Sequence, residues 1–159
     1  MVVIRQLKQG DDLADLISLS REFFAEYEAH HDEFFDIDGL EDSHIADYFT
    51  CSIGSDDNAT FVALQEGRLV GYVTVHVRGQ APFYKVKRVG AISGLMVRGE
   101  DRRSGIATQL LDRAKVFFKA RGVKYFTVYT AVANDSAVSF YEKNGMVSLH
   151  TTLIGEIDG

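Results

Sequence analysis

The chain has 159 residues, 46% hydrophobic and 25% charged, which is typical of one globular domain large enough to bury a substantial core. Its single cysteine excludes an intramolecular disulfide and a cysteine-cluster zinc site, and its formal net charge of −6 argues against nonspecific nucleic-acid binding. No apolar run approaches the length of a membrane span, and the first residues lack a signal-peptide hydrophobic region. We therefore expect a single cytoplasmic domain over residues 1–159, with neither a membrane nor a nucleic acid as partner.

Hydrophobic periodicity divides the first half of the chain into a strand and two helices. The first helix carries a broad apolar stripe from Leu13 to Tyr27, and Asp11 or Asp12 is placed to cap it. In chain order, the predicted elements are a strand at 2–7, a helix ending near 29, a loop at 30–38, a helix at 41–52 and a turn at 54–58.

Short runs of alternating or β-branched residues, separated by turns, predict strands in the second half. Glu66-Gly67 joins two of them as a hairpin. Gly94 lies inside a predicted strand, where glycine indicates a bulge or a close approach by another backbone or a ligand. In chain order, we predict strands at 59–65, 68–77 and 88–97, a helix at 105–121, a strand at 123–130, a helix capped by Asn134 and a strand at 146–154. This order predicts an α/β fold with a mixed sheet and helices on both faces.

The segment 97–108 runs from a predicted strand through a glycine-containing turn into a helix. Such a turn directs unpaired backbone N–H groups and the positive end of the helix dipole at one point, which favours an anion. Arg102 and Arg103 add charge-assisted donors, and Gly105 removes a Cβ that would keep a phosphate from the backbone. Taken alone, the segment fits plain turn chemistry equally well.

One further cluster, His30-His31-Asp32, raises the question of a metal. Adjacent residues on a strand point in opposite directions, and the helical His-x-x-x-His spacing is missing. We therefore expect no metal site.

The joint pattern of Val97, Arg102, Gly105 and Ala107, followed one strand later by a second segment, resembles the GNAT superfamily of acyl-CoA-dependent N-acetyltransferases. Arg102-x-x-Gly105-x-Ala107 is similar to that family's pyrophosphate loop, and the segment 134–145 is similar to its later Asn...Phe-Tyr...Asn-Gly motif. The resemblance covers nearly the whole chain. It implies a mixed, mostly antiparallel twisted sheet with helices on both faces, in which strands 88–97 and 123–130 splay apart and the pantetheine arm of acetyl-CoA lies between them.

The resemblance also implies the site residues. Val97 N–H would polarise the thioester carbonyl, and the Tyr141 hydroxyl would protonate the departing thiolate. The alternative for Tyr141 is a core aromatic, and Asn134 also fits a simple helix N-cap. The implied contacts of acetyl-CoA are Leu95, Met96, Val97, Arg102, Arg103, Ser104, Gly105, Ile106, Ala107, Thr108, Asn134, Ala137, Phe140 and Tyr141.

The general base is where the chain departs from the family. Many members carry a glutamate on the strand before the pyrophosphate loop, but residues 93–96 here are Ser, Gly, Leu and Met. A primary amine with a pKa near 10.4 is neutral in only about one molecule in a few thousand at pH 7, so a deprotonation route is required. Glu28, or a water held by Ser93 or His76, are the candidates.

Negative charge is concentrated in the part of the chain that forms one wall of the acceptor site in the family. The interval 22–67 has no Lys or Arg but holds 13 of the 23 acidic residues. A cleft of one sign attracts ligands of the opposite sign. We therefore predict a small cationic amine as acceptor, such as a polyamine, a basic amino acid or an aminosugar. The carboxylates concerned are Glu26, Glu28, Asp32, Glu33, Asp36, Asp38, Glu41 and Asp42.

Other interpretations stay open. The same carboxylates fit a solvated helix face, and acetylation of protein N-termini or lysines, which needs an open peptide groove, is an alternative reaction. A GNAT-fold module that binds acyl-CoA without turnover is a third class, and a homodimer is left open.

Overall fold

The computed structural model describes residues 1–158, which form two compact units: residues 1–129, and the segment that begins at Thr130. The single domain expected from the sequence stays a prediction. Within the described residues, no helix combines the length and the apolarity needed to cross a membrane. The elements are Val2–Gln6 (β1), Ala14–Glu28 (α1), Asp42–Thr50 (α2), Asn58–Gln65 (β2), Arg68–Gly79 (β3), Arg88–Val97 (β4), Ile106–Ala120 (α3), Phe126–Val128 (β5) and Asp135–Lys143 (α4).

The five strands of the first unit form one sheet in the order β1-β2-β3-β4-β5. Every neighbouring pair is antiparallel except β4 and β5, which are parallel. The predicted mixed, mostly antiparallel sheet is therefore confirmed. The hairpin at Glu66-Gly67 is confirmed too, since both residues have positive φ (53° and 79°), as the turn of a two-residue hairpin requires.

Helices cover both faces of this sheet because successive strand residues point to opposite sides. Val62 belongs to a core cluster that includes Leu16 of α1 and Phe49 of α2. Its neighbour Phe61 instead contacts Phe117 of α3, with ring centroids 6.0 Å apart. The helices α1 and α2 thus pack on one face and α3 on the other, as predicted.

A β-bulge interrupts the β3–β4 pairing. Thr74 pairs with Gly94 and Val75 pairs with Ile92, so Ser93 is the extra residue. A Cβ at Gly94 would lie 3.3 Å from Thr74 Oγ1, which explains why glycine suits this position. Gly94 indicated a bulge or a close approach, and the structure has the bulge.

The strand predicted at 123–130 is wrong in length. β5 contains three half-buried residues that pair with Gly90–Ile92, whereas β4 continues to Val97. At its start, Val123 N–H is used to close α3 by donating to Phe118 O at 3.1 Å. At its end, the bulge at Ser93 changes the course of β4, so the pairing stops there.

The second unit contains α4. Asn134 caps it, since its side-chain oxygen accepts a hydrogen bond from Ala137 N–H at 3.2 Å. The strand predicted at 146–154 is wrong: the described residues of this unit contain no strand, and Val147 and Leu149 are 86% and 76% exposed. Alternating apolar residues form a strand only where another strand offers its hydrogen-bonding groups, so the alternation by itself does not produce one.

Candidate active site

The turn between β4 and α3 has the geometry of an anion site. Arg103 and Gly105 both have positive φ, at 66° and 85°, and α3 begins at Ile106. The first helical N–H bonded to the backbone is that of Gln109, which donates to Gly105 O at 3.1 Å. The N–H groups of residues 106–108 precede it and have no intrahelical partner. A Cβ at Gly105 would meet nothing within 4 Å, so the space in front of the helix is open.

The two arginines of the turn differ in their surroundings. Arg102 Nε donates to Val97 O at 2.9 Å, and its Nη2 donates to Glu26 Oε1 at 2.7 Å. Its side chain therefore ties the end of β4 to α1. Arg103 is exposed and forms no ion pair with any residue in the described part of the chain. The Ser104 hydroxyl donates to Asp101 O, so the donors left for an anion are the backbone N–H groups and Arg103.

The last residues of β4 leave one edge of the strand open. Arg98 N–H donates to Val70 O of β3 at 2.8 Å. Backbone groups alternate along a strand, so Val97 and Leu95 direct their N–H groups to the opposite edge, while Met96 pairs with Tyr72 of β3. Because β5 pairs with β4 only as far as Ile92, no strand covers this edge. The family resemblance implied a gap between splayed strands 88–97 and 123–130; what the structure has here is an edge of β4 beyond the end of β5.

Three hydroxyl groups meet at the bulge. Ser93 Oγ lies 2.7 Å from Tyr48 Oη and 2.8 Å from Thr74 Oγ1. Tyr48 and Thr74 are absent from the residues predicted for the site. For Thr74, the sequence signal is its alternation with apolar residues along β3, which places Thr74 and His76 on the same face of the sheet.

Two clefts lie beside this hydroxyl cluster. The aromatic cleft has a volume of about 500 Å³, and the hydroxyl cleft has about 380 Å³. His76 and Ser93 line both. The aromatic cleft is lined by Phe23, Phe24, Tyr27, His76, Arg78, Ala91, Ile92, Ser93, Thr127 and Tyr129. The hydroxyl cleft is lined by Tyr48, Cys51, Ser52, Asn58, Ala59, Thr60, Thr74, Val75, His76 and Ser93.

His76 stands between the clefts as a neutral imidazole. Burial lowers its pKa below the usual 6.5, and the nearby charge of Arg78 lowers it further. A neutral imidazole at pH 7 is able to accept a proton from a ligand or a water in either cleft.

The comparison with protein families agrees with this geometry. Residues 14–146 match the model of the acetyltransferase (GNAT) family. This chain belongs to the GNAT family.

Two curated relatives of this GNAT chain match part of it. It is 29% identical to an uncharacterized N-acetyltransferase of Methanocaldococcus jannaschii over 98 residues, which are 62% of this chain and 43% of the relative. It is 35% identical to N-alpha-acetyltransferase 30 of Schizosaccharomyces pombe over 86 residues, 54% of this chain and 55% of the relative. The chain thus spans about half the length of these relatives.

Among solved structures, the fold is similar to that of the aminoglycoside N-acetyltransferase AAC(6')-Iy in complex with the bisubstrate analogue CoA-S-monomethyl-acetylneamine. The two chains superpose with a TM-score of 0.78 at 18% identity, covering 98% of this chain and 97% of the other. At that identity, the likeness supports the fold alone.

The remaining predicted site residues of the GNAT chain lie in the second unit. Ala137, Phe140 and Tyr141 share one face of α4 by their spacing, and the rings of the last two are 5.1 Å apart. Tyr141 is 9% exposed, and burial raises its pKa to about 12. Its hydroxyl therefore keeps its proton at neutral pH. The roles assigned to Asn134 and to these residues stay predictions.

The Glu28 side chain forms a hydrogen bond with the loop that follows α1. Its Oε1 accepts a hydrogen bond from Ile37 N–H at 3.1 Å, which holds the loop after α1. It lines neither cleft. Its role as the base stays a prediction, but the geometry favours His76.

Several of the eight carboxylates expected around the acceptor also have partners. Glu26 pairs with Arg102, and Asp42 pairs with Arg21 at 2.6 Å. None of the eight lines the aromatic cleft. The loop that carries Asp32, Glu33, Asp36 and Asp38 nevertheless lies beside it, because Phe35 in this loop contacts the cleft residue Tyr27 with ring centroids 4.6 Å apart.

Proposed function

We propose that this GNAT chain transfers an acetyl group from acetyl-CoA to the primary amine of a small molecule. We call residues 102–108, the turn between β4 and α3, the anion loop. The observation that carries the proposal is the open edge of β4, which lies between the anion loop and the aromatic cleft. One substrate with a diphosphate, an amide-containing arm and a reactive end fits such a path. The AAC(6')-Iy complex, in which CoA is joined to an aminoglycoside fragment, supports the same arrangement.

The acetyl donor fits the residues of the loop and the strand edge. The N–H groups of residues 106–108 and the exposed Arg103 suit a diphosphate, and the N–H groups that Leu95 and Val97 direct to the open edge suit the amide carbonyls of pantetheine. A thioester supplies an acyl carbon that is open to attack and a thiolate that leaves. Val97 N–H donates to the carbonyl oxygen as negative charge develops on it.

Two residues transfer the protons of the reaction: one accepts a proton from the amine, and the other donates a proton to the thiolate. His76, directly or through a water shared with Ser93, accepts the proton that the amine loses as its nitrogen bonds to the acyl carbon. The family resemblance assigns the protonation of the departing thiolate to Tyr141. Its raised pKa is consistent with an acid that stays protonated until the thiolate forms.

For the acceptor, we propose a small cationic amine, such as a polyamine, a basic amino acid or an aminosugar. Aromatic faces attract cations, and Phe23, Phe24 and Tyr27 supply three of them in the cleft. The acidic loop held by Phe35 adds negative charge beside the cleft.

A second candidate is acetylation of protein N-termini, favoured by the 35% identity with N-alpha-acetyltransferase 30. A third is acyl-CoA binding without turnover, favoured by the missing glutamate of β4. Both differ from the main proposal in the reaction expected.

The test is release of free thiol from acetyl-CoA across a panel of polyamines, basic amino acids, aminosugars and peptides with free N-termini. Turnover with small amines but not peptides supports the proposal. Turnover with peptides alone supports the second candidate, and tight binding without any thiol release supports the third.

Salt tests the charge of the acceptor. Matched mono- and dicationic amines are compared at low and high ionic strength, where screening acts over about 8 Å at 0.15 M. We expect salt to raise KM more for the dication. Equal responses, or a preference for anionic amines, would contradict the cationic acceptor.

A further inference from the structure

Among the described residues that line the aromatic cleft, Arg78 is the one that carries a formal charge. Five arginines of the chain, Arg5, Arg21, Arg68, Arg88 and Arg102, each form an ion pair with a carboxylate. Within residues 1–158, Arg78 forms no ion pair, and no hydrogen bond of its guanidinium is found. Arg78 is exposed at the edge of the cleft, and a guanidinium with its five donors unused is suited to bind an anionic group of a ligand.

The surroundings of Arg78 strengthen this reading. The other lining residues are aromatic, aliphatic, hydroxyl-bearing or, in His76, neutral at pH 7. No carboxylate lines the cleft to neutralise the guanidinium. Because Arg78 is exposed, water competes for its donors, and the aromatic and aliphatic residues of the cleft reduce that competition only on the side where they lie. A purely cationic ligand would meet repulsion at this end of the cleft.

The position of Arg78 relates it to the reacting amine. His76 and Arg78 are two residues apart on β3 and project from the same face, roughly 7 Å apart along the strand. One small molecule can therefore present its amine near His76 and a second group to Arg78. A single planar guanidinium matches the two oxygens of one carboxylate, whereas phosphate sites usually gather several donors.

We propose that Arg78 binds a carboxylate of the acceptor, so that the amine acetylated by this chain belongs to an amino acid. This inference rests on the proposed function and narrows it. Of the cationic acceptors named above, a basic amino acid satisfies both ends: its carboxylate meets Arg78, and its cationic side chain meets the aromatic faces and the acidic loop.

The test uses pairs of amines that differ only in a carboxylate: lysine and cadaverine, ornithine and putrescine, arginine and agmatine. kcat/KM is measured by thiol release for the wild type, Arg78→Gln, Arg78→Lys and the control Arg88→Gln. Arg88 is a suitable control because it lies on the neighbouring strand, outside the cleft, and pairs with Asp57 at 3.0 Å.

We expect the wild type and the control to prefer the amino acid of each pair by roughly 10- to 100-fold, as for one hydrogen bond between charged groups. Arg78→Gln should lose that preference while keeping or raising kcat/KM for the decarboxylated amines. Arg78→Lys should retain part of it, since an ammonium keeps the charge but not the planar fork.

The failures are distinguishable. If the decarboxylated amines are as good as the amino acids and Arg78→Gln changes nothing, the carboxylate inference is wrong while the proposed function stands. If none of the amines causes the wild type to release thiol from acetyl-CoA, the proposed function is wrong. In that case, calorimetry of lysine binding to the wild type and to Arg78→Gln still decides the role of Arg78: equal affinities, or no binding, overturn it.

Discussion

Arg102 joins the anion loop to the helix that walls the aromatic cleft. Its guanidinium donates to Glu26 Oε1 at 2.7 Å and to Val97 O at 2.9 Å. Glu26 lies on α1 between Phe24 and Tyr27, both of which line the cleft. A ligand that draws Arg102 towards its own negative charge must therefore weaken a contact of this helix, which links the two halves of the proposed site.

Glu26→Gln should strengthen acetyl-CoA binding by about two- to fivefold, because the variant removes a carboxylate that competes for Arg102. The pair is partly exposed, so its loss should change the free energy of unfolding by no more than about 1 kcal/mol. Isothermal calorimetry measures the affinity. Glu22→Gln, one helical turn earlier and without an ion pair in the described residues, is the control and should leave it unchanged. Weaker binding by Glu26→Gln would show that the pair supports the loop instead.

Gly105→Asp should abolish acetyl-CoA binding. The new carboxylate would stand at the N-terminus of α3, where the diphosphate is proposed to bind, and a non-glycine residue at φ 85° costs about 1–2 kcal/mol. The control is Gly122→Asp at the other end of α3, which has a similar φ of 70° and also meets nothing within 4 Å. Both variants should lose similar stability, and Gly122→Asp should still bind. Unchanged affinity of Gly105→Asp would remove the loop from the cofactor site.

Tyr141→Phe should lower kcat by about ten- to a thousandfold with little change in acetyl-CoA affinity, as expected for loss of a positioned acid. Because the pKa of Tyr141 is raised to about 12, its hydroxyl should add no titration to the rate profile between pH 6 and 9. The exposed Tyr125→Phe serves as the control. Wild-type rates for Tyr141→Phe at every pH would assign this tyrosine to packing.

His76 should make stability depend on pH in a defined direction. Its folded-state pKa lies below the unfolded value near 6.5, mainly because of burial, so the unfolded chain binds a proton more readily. The contribution of His76 to the free energy of unfolding is fully present above about pH 6.5 and decreases as the pH falls below that value. In urea unfolding, the free energy of unfolding should decrease less between pH 7 and pH 5 for His76→Gln than for the wild type. The exposed His150→Gln should behave like the wild type, and identical losses in all three proteins would refute the shift.

Gly90→Ala should destabilise the fold by about 1–3 kcal/mol through overpacking. A Cβ at this position would lie 2.5 Å from Cδ1 of Phe118, a residue of α3 that is 3% exposed. The control is Gly99→Ala, where a Cβ meets nothing within 4 Å and the change should stay within about 0.5 kcal/mol. Equal midpoints of urea unfolding for the two variants would mean that α3 can shift freely on the sheet.

The sequence predictions are correct where the interactions join residues close together in the sequence, and wrong where the interactions join residues far apart in it. The helix predicted at 105–121 is confirmed by α3, whose apolar stripe of six residues is buried, and the N-cap predicted at Asn134 accepts a hydrogen bond from Ala137 N–H. Each depends on residues a few positions apart. The strands at 123–130 and 146–154 are wrong because their pairing depends on neighbours that lie far away in the sequence. The six buried residues of the α3 stripe are Ile106, Leu110, Leu111, Ala114, Phe117 and Phe118.

By itself, the sequence determined the hairpin turn at Glu66-Gly67, the N-cap at Asn134, the periodic faces and the glycine turn at Gly105 that begins α3. These features depend on backbone preferences and on contacts within one turn or one strand. Only the tertiary structure decided what meets at the site. Tyr48 reaches Ser93 across 45 positions and Arg102 reaches Glu26 across 76, and neither pairing leaves a local pattern in the chain. Sheet register and helix packing bring such residues together, and they also decide which carboxylates are used in ion pairs and which arginine, Arg78, is left facing the cleft.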